Sequence, residues 1–241
     1  MNPTPSPSAV AVVLAAGTGT RVGADGNKAY LTVAGRPMVA WSLHTLTHVA
    51  GVTRILLVHR RGERRLAEDI AGQVSTAAAI ELVEGGDSRH GSELNALRYL
   101  AADIEAGAID VVLIHDAARP VASPDMFLSA LKTAREFGGA VPVLPLPDVL
   151  THGSESIEAA ALVRVQTPQA FRAAPLLEAY RIAEREGFKG TDTSSCIETF
   201  TDVEVRTFRG ENCNIKVTYA PDIALAERLL GYTVSRSGDP R

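Results

Sequence analysis

Three polar or glycine-rich segments stand at the ends of apolar runs in this 241-residue chain, and each could hold an anion. They are Ala15-Ala-Gly-Thr-Gly-Thr-Arg21, Gly85-Gly-Asp-Ser-Arg-His-Gly-Ser92 and His115-Asp-Ala-Ala-Arg-Pro120. In the first, Gly17 and Gly19 remove side chains, so backbone amides can approach an anion closely. Arg21 and Lys28 bring two cations within reach of the same loop. The chemistry open to such a set is electrostatic: cradling a phosphate chain and neutralising charge that grows on it. The loop is not a Walker A motif, because the Gly-Lys-Ser/Thr ending is missing. It is also a poor dinucleotide fingerprint, lacking the third glycine and followed by a second strand only about 40 residues later. His59-Arg60-Arg61 keeps an NADP-dependent reductase open as a rival, since an NADP site can carry an arginine there. A solvated loop is the plainer explanation of that basic cluster.

Nucleophilic sets are not evident. Cys196 and Cys213 cannot make a zinc site alone and read as reduced, largely buried thiols. None of the six histidines pairs as a ligand set, and His115 is expected to fill a partly buried strand end. Trp41 reads as a core anchor of the first helix, not a stacking platform.

The elements that must position these segments alternate along the chain. Apolar runs at Val10–Leu14, Arg54–His59, Ile80–Glu84, Val111–His115 and Ala140–Leu144 suit strands buried on both faces. Between them, Pro37–His48 fits a helix with proline in its first turn. Leu94, Leu97, Ala101 and Ile104 recur at helical spacing, and Ser123-Pro124 is an N-cap followed by proline. Further on, helices are expected from Pro175 to Glu186, near Thr191 and from Pro221 to Leu230, with strands at Val203–Phe208 and Ile215–Thr218. This order predicts an α/β fold, a mostly parallel sheet with helices on both sides, in which ligands bind beyond the carboxyl ends of the strands. The pattern lapses from about Pro145 to Gln166, which reads as an arm inserted in a single domain spanning 10–231. Residues 1–9 read as a loose Pro/Ser lead-in and 232–241 as a loose tail.

Composition narrows the class. With 46% hydrophobic and 22% charged residues the chain is an ordinary globular protein. Its 24 basic and 28 acidic residues give a net charge of −4, which argues against nucleic acid as a partner. No apolar run approaches the 18 or so residues of a membrane span. The first residues lack the basic start and apolar stretch of a secretory signal, so a cytoplasmic location is expected.

The order of motifs is also familiar. The segments above, with Lys28 before Tyr30-Leu31, Gln166-Thr-Pro-Gln-Ala-Phe171, Thr191-Asp192 and Asn214-Ile-Lys-Val-Thr218, resemble the 2-C-methyl-D-erythritol 4-phosphate cytidylyltransferase family and its ribitol-5-phosphate relatives. The likeness runs from about Val10 to Leu230. It implies a Rossmann-like nucleotide-diphospho-sugar transferase fold with a protruding dimerisation arm. It also implies a magnesium-dependent enzyme joining CTP to a polyol phosphate. By the family's pattern Arg21, Lys28 and Lys216 are catalytic cations. Ala15, Ala16, Gly17, Thr18, Gly19, Thr20, Gly86, Asp87, Ser92 and Ala117 bind the nucleotide, and Asp116, Arg119, Thr167, Thr191 and Lys216 bind the polyol phosphate. Asp116 could equally hold magnesium, a ribose hydroxyl or the polyol, and Thr191 could be a plain N-cap. A homodimer is implied, with the arm exchanged between subunits.

Four places depart from that pattern. Asn27-Lys28-Ala29 stands for Pro-Lys-Gln, and Asp148-Val-Leu-Thr151 for Asp-Thr-Ile/Met-Lys. Ala159 occupies the position of an arm arginine that grips the acceptor phosphate across the dimer. Cys213 replaces a common acidic residue. The loss of the arm arginine makes a different polyol-phosphate acceptor a live expectation, with Arg164 as the nearest substitute cation unless it is simply an exposed strand residue. A CTP-binding sensor without turnover is the remaining alternative.

Overall fold

The central strand shows why the sheet is covered on both faces. The computed structural model describes residues 8–17, 26–146, 162–188, 190 and 192–237, beginning with β1, Ser8–Ala15. Ala9, Ala11, Val13 and Ala15 of β1 enter one buried cluster, while Val10 and Val12 enter another. A period of two with both sets apolar is what a doubly covered strand requires. A short hairpin, β2 (Thr32–Val33) and β3 (Arg36–Pro37), leads into α1 (Met38–Leu46). Then come β4 (Val52–His59), α2 (Arg64–Ala71), β5 (Ala79–Glu84), α3 (Arg89–Glu105), β6 (Ile109–Asp116), α4 (Pro124–Phe137) and β7 (Gly138–Pro145). β8 (Val163–Val165), β9 (Gln169–Arg172), α5 (Ala173–Arg185), α6 (Thr193–Phe200), β10 (Glu204–Arg209) and α7 (Ala220–Ser237) follow.

The large sheet has the order β10-β7-β9-β6-β1-β4-β5, with β8 pairing β7 beside that path. β1 is parallel to β4 and β6, β5 is parallel to β4, and β10 is parallel to β7. β9 runs antiparallel to both β6 and β7, and β8 antiparallel to β7. The expected mostly parallel α/β sheet is therefore present, flanked on one face by α1, α2 and α4 and on the other by α3, α5 and α6. The starts of α3, α4 and α6 are capped by side chains: Ser88 accepts from Gly91 N, Ser123 from Met126 N and Asp192 from Ser195 N.

A third, smaller cluster matters for function. Val33, Met38 and Trp41 pack against Ala118, Val121, Val217, Ala226 and Leu230. Trp41 is the core anchor expected of it, and its Nε1 donates to Val33 O at 2.8 Å. This layer fastens α7 and the segment before it across the end of the sheet.

The differences from expectation follow from that arrangement. Ile215–Thr218 is not a strand: it crosses over the strand ends, and Val217 N donates to Ala118 O at 2.8 Å. β9 has no clear sequence signal, because Gln169-Ala-Phe-Arg172 is short and carries polar residues at both ends. α2 and the β2–β3 hairpin are further additions to the expected elements, and α7 continues past Leu230. Most of the expected arm, including Asp148, Thr151 and Ala159, lies outside the described residues; the described part contributes β8. Among the described residues no helix is long and apolar enough to cross a membrane.

Candidate active site

The chain leaves β1 for β4 and β5, then returns to β6 on the opposite side of β1. That reversal opens a crevice beyond the carboxyl ends of β1 and β6, where ligands of open α/β sheets bind. The two strand ends are tied together, since Ala117 N donates to Leu14 O at 3.1 Å. A cleft of about 360 Å³ lies there, lined by Leu14 to Gly17, Asn27 to Ala29, Gly86 to Arg89, Ser92, Asp116, Ala118 and Lys216.

The wall after β5 is shaped by close packing. A Cβ on Gly85 would meet the Ala16 Cβ at 2.5 Å, and one on Gly86 would meet the Gly91 carbonyl carbon at 2.7 Å. Only glycine lets this turn press on the start of α3. Ser92 holds the turn: its hydroxyl accepts from Gly86 N at 3.1 Å and donates to Ser88 O at 2.8 Å. Asp87 stands exposed at the rim.

Lys28 opens a single 3-10 turn, Lys28–Tyr30. Asn27 anchors that turn: its Oδ1 accepts from Ala29 N at 3.0 Å, and its Nδ2 donates to Ala15 O and to Glu63 Oε2. The side chain that departs from the family's proline thus fixes Lys28 to the end of β1. Lys28 Nζ reaches across to donate to Val217 O at 3.0 Å. Lys216 Nζ, one residue away on that segment, donates to Asp116 Oδ2 at 2.7 Å, and Arg89 Nε donates to Asp116 Oδ1 at 3.4 Å. Burial pushes the Asp116 carboxyl up. Arg89, Lys216 and Arg119 outweigh it and hold the group well below the usual carboxylate range.

Behind Asp116 lies a chain of fixed polar contacts. His115 Nε2 pairs with Arg119 O at 3.2 Å, and a carbonyl only accepts, so the ring proton sits on Nε2. Thr167 Oγ1 then donates to His115 Nδ1 and accepts from Asp116 N at 3.1 Å. Arg119 spends two nitrogens on backbone, Nη1 to Asn214 O and Nη2 to Val165 O. Asn214 Nδ2 donates to Thr167 O, and Gln166 Nε2 to Glu211 O and Asn214 O. These bonds clamp the 211–217 segment onto the sheet end and thereby aim Lys216.

The structure brings together Ala15, Ala16, Gly17, Lys28, Gly86, Asp87, Ser92, Asp116 and Lys216, all in the cleft wall. Ala117 is fully buried, and its neighbour Ala118 lines the cleft instead. Arg119 and Thr167 lie directly behind Asp116, buried and bonded to protein groups. Thr18, Gly19, Thr20, Arg21 and Thr191 lie outside the described residues. Sequence reasoning missed Asn27, Arg89, Gln166 and Asn214 as site-building residues. Arg89 and Asn214 stand inside the motifs, but nothing in their spacing reveals their partners.

The set suits polyanion chemistry rather than covalent catalysis. Burial pushes the Cys196 thiol up to about 12, and burial beside Glu211 raises that of Cys213, so neither is a ready thiolate. The histidine at the site, His115, is buried, and burial lowers it to about 4. Arg61, in the basic cluster after β4, is paired with Glu84 at 2.9 Å on the surface. Among the described residues no group of three His, Cys, Asp or Glu side chains is placed to hold a metal. Both Asp116 oxygens already accept from cations. The described donors therefore do not fit a resident protein-held magnesium ion.

Comparison with known proteins bears on the same residues. The family model for 2-C-methyl-D-erythritol 4-phosphate cytidylyltransferase matches residues 9–232. The cytidylyltransferase of that description from Cereibacter sphaeroides is 39% identical over 225 residues, covering 91% of this chain and 96% of that protein. The one from Geobacillus kaustophilus is 33% identical, with coverage of 91% and 96%. Among solved structures, the 2-C-methyl-D-erythritol 4-phosphate cytidylyltransferase of Thermus thermophilus superposes with a TM-score of 0.69 at 31% identity, covering 91% of this chain and 97% of that one. The 4-diphosphocytidyl-2C-methyl-D-erythritol synthase of Anaerococcus prevotii gives a TM-score of 0.80 at 27% identity, covering 93% and 99%. With the family model covering nearly the whole chain and a cationic cleft at the sheet's reversal point, the chain belongs to the 2-C-methyl-D-erythritol 4-phosphate cytidylyltransferase family.

Proposed function

We propose that this enzyme joins CTP to 2-C-methyl-D-erythritol 4-phosphate, giving the CDP-polyol and pyrophosphate. The observation that carries the reading is the pair of lysines at one cleft: Lys28 donates to Val217 O, and Lys216, the residue before Val217, donates to Asp116. A phosphate monoester has a second pKa of about 6, so it arrives as a dianion and needs no general base. One of its oxygens bonds to the α-phosphorus of CTP, while the bond from that phosphorus to the oxygen bridging to the β-phosphorus breaks. Pyrophosphate leaves with the electron pair. The barrier is electrostatic, because one anion attacks another and charge grows on the leaving group.

In this reading Lys28, with Arg21, neutralises the α-phosphate and the departing pyrophosphate, and Lys216 draws in the acceptor phosphate. Asp116 holds Lys216 in place and leaves its remaining N–H bonds for that phosphate. The Gly85-Gly86 turn and Ala15–Gly17 admit the cytidine, with Asp87 and Ser92 toward the base. Thr167, Arg119 and Thr191 shape the acceptor end. Magnesium would come with the triphosphate as its counter-ion, since Asp116 is already paired and Asp87 stands exposed at the rim. Arg164, next to Val165 whose carbonyl accepts from Arg119, is the residue proposed to supply the cation that Ala159 does not.

Pyrophosphate release from CTP with methylerythritol phosphate, ribitol 5-phosphate and other polyol phosphates tests the reading. Turnover with the first is expected, and Lys28→Ala or Lys216→Ala is expected to lower it by ~10²–10³. Efficient turnover with a different acceptor alone would move the assignment to that acceptor. CTP binding without any turnover would leave a sensor.

A further inference from the structure

Glu93 is a carboxylate with 1% of its surface exposed, one turn into α3 from the cleft wall. The lysine mechanism does not use it, yet it is fully furnished with donors. Arg89 Nη1 donates to its Oε1 at 2.5 Å, Thr193 Oγ1 donates to the same oxygen at 2.7 Å, and the Tyr180 hydroxyl donates to Oε2. Arg89 Nη1 also donates to Thr193 Oγ1 at 3.2 Å. Thr193 is fully buried at the first turn of α6, whose cap is Asp192. A buried acid is retained at a cost in desolvation, so its position asks for a reason.

The distances supply one. Arg89 stands between two carboxylates and is divided unequally, tight against Glu93 at 2.5 Å and loose against Asp116 at 3.4 Å. Asp116 is correspondingly tight against Lys216, at 2.7 Å. A guanidinium without its buried acid would close on the nearest remaining carboxylate, because an arginine–carboxylate fork is stronger than a single ammonium contact. That carboxylate is Asp116. We infer that Glu93 is a positioning residue: it draws Arg89 away from Asp116 so that Asp116 remains the partner of Lys216. The inference rests on the proposed role of Lys216 at the acceptor phosphate. It assigns the acceptor side of the reaction a control element in the core, built from α3, α5 and α6.

Glu93→Gln tests it with little change of shape. The amide oxygen can take the place of Oε1, and the amide nitrogen can donate to Tyr180, whose hydroxyl turns to accept. Wild-type enzyme is assayed first with CTP and methylerythritol phosphate; an inactive wild type would count against the proposed function, not against Glu93. With an active wild type, Glu93→Gln is expected to raise the acceptor KM about tenfold while the CTP KM stays within about twofold. Adding Arg89→Gln to that variant is expected to lower the acceptor KM back toward the wild-type value, because the competitor for Asp116 is gone. Equal effects on both substrates, or a double variant worse than Glu93→Gln, would overturn the inference. Should Glu93→Gln fail to fold, Thr193→Val removes the hydroxyl shared by Arg89 and Glu93. It must then show the same acceptor-selective rise, and an unchanged acceptor KM there would equally overturn it.

Discussion

His115 and Asp116 are consecutive and both buried, yet their surroundings drive them to opposite charge states. Arg89, Lys216 and Arg119 keep Asp116 ionised, while His115 stays neutral because burial lowers it from an ordinary 6.5 to about 4. A histidine lowered in the folded state binds its proton more weakly there than in the unfolded chain. Below pH 6.5 the unfolded state therefore gains protons first, and stability falls until about pH 4, where both states are protonated. A shift of that size is worth about 3 kcal/mol in all. Denaturant unfolding of wild type and His115→Gln across this range is the check. The variant should lose this part of the acid slope whatever its absolute stability, and identical slopes would contradict the assignment. The types of His115 and Asp116 are legible in the sequence as a strand end carrying a carboxylate. Their protonation is not, because the cations that set it arrive from residues 89 and 216, far off along the chain. Arg119 shows the same limit. The family resemblance implies a substrate contact there, but not that two of its guanidinium nitrogens bond the carbonyls of Asn214 and Val165.

Elements are legible where one physical signal dominates. β1, β4 and β6 are continuous apolar runs, and the α4 start carries both Ser123 and Pro124. Elements that owe their state to tertiary pairing are not. Gln169–Arg172 is a strand because β6 and β7 flank it, and Ile215–Thr218 fails to be one because Val217 N bonds to Ala118 O while Ile215 N and Thr218 N bond locally to Cys213 O and Asp222 Oδ2. The Gly85-Gly86 turn joins the two cases, since the glycines are visible in the sequence but the surface they press against is not. A methyl group on Gly86 would collide with backbone at 2.7 Å, and backbone cannot swing aside as a side chain can. Gly86→Ala is thus expected to displace the turn from α3, breaking the bond from Gly86 N to Ser92 and weakening CTP binding about tenfold or more. Titration calorimetry with CTP reads this directly. The fold should survive, because the turn lies at the edge of the hydrophobic clusters, so a variant with wild-type affinity would show that the turn does not shape the nucleotide site.

At the scale of the whole molecule, one surface is poorly explained by a lone subunit. Among the described residues β8, three residues long, pairs only with the end of β7, and Val163 and Val165 are 42% and 39% exposed. Alternation along a strand puts these two valines on one face and Arg164 on the other. A short apolar strand left open at a sheet margin invites pairing with another chain. In the proposed reading the same strand helps fix the acceptor end, since Val165 O accepts from Arg119 Nη2. We therefore propose that two copies associate through this strand. The residues proposed to admit the cytidine, by contrast, stand at the ends of β1 and β5, across the sheet from β7. Charge placed on the valine face should then separate the two substrates. Val163→Asp is expected to turn a dimer into a monomer in sedimentation velocity, to raise the acceptor KM about tenfold, and to leave CTP affinity within about twofold. Monomeric wild type at micromolar concentration, or a monomeric variant with unchanged acceptor kinetics, would show that each subunit completes its own site.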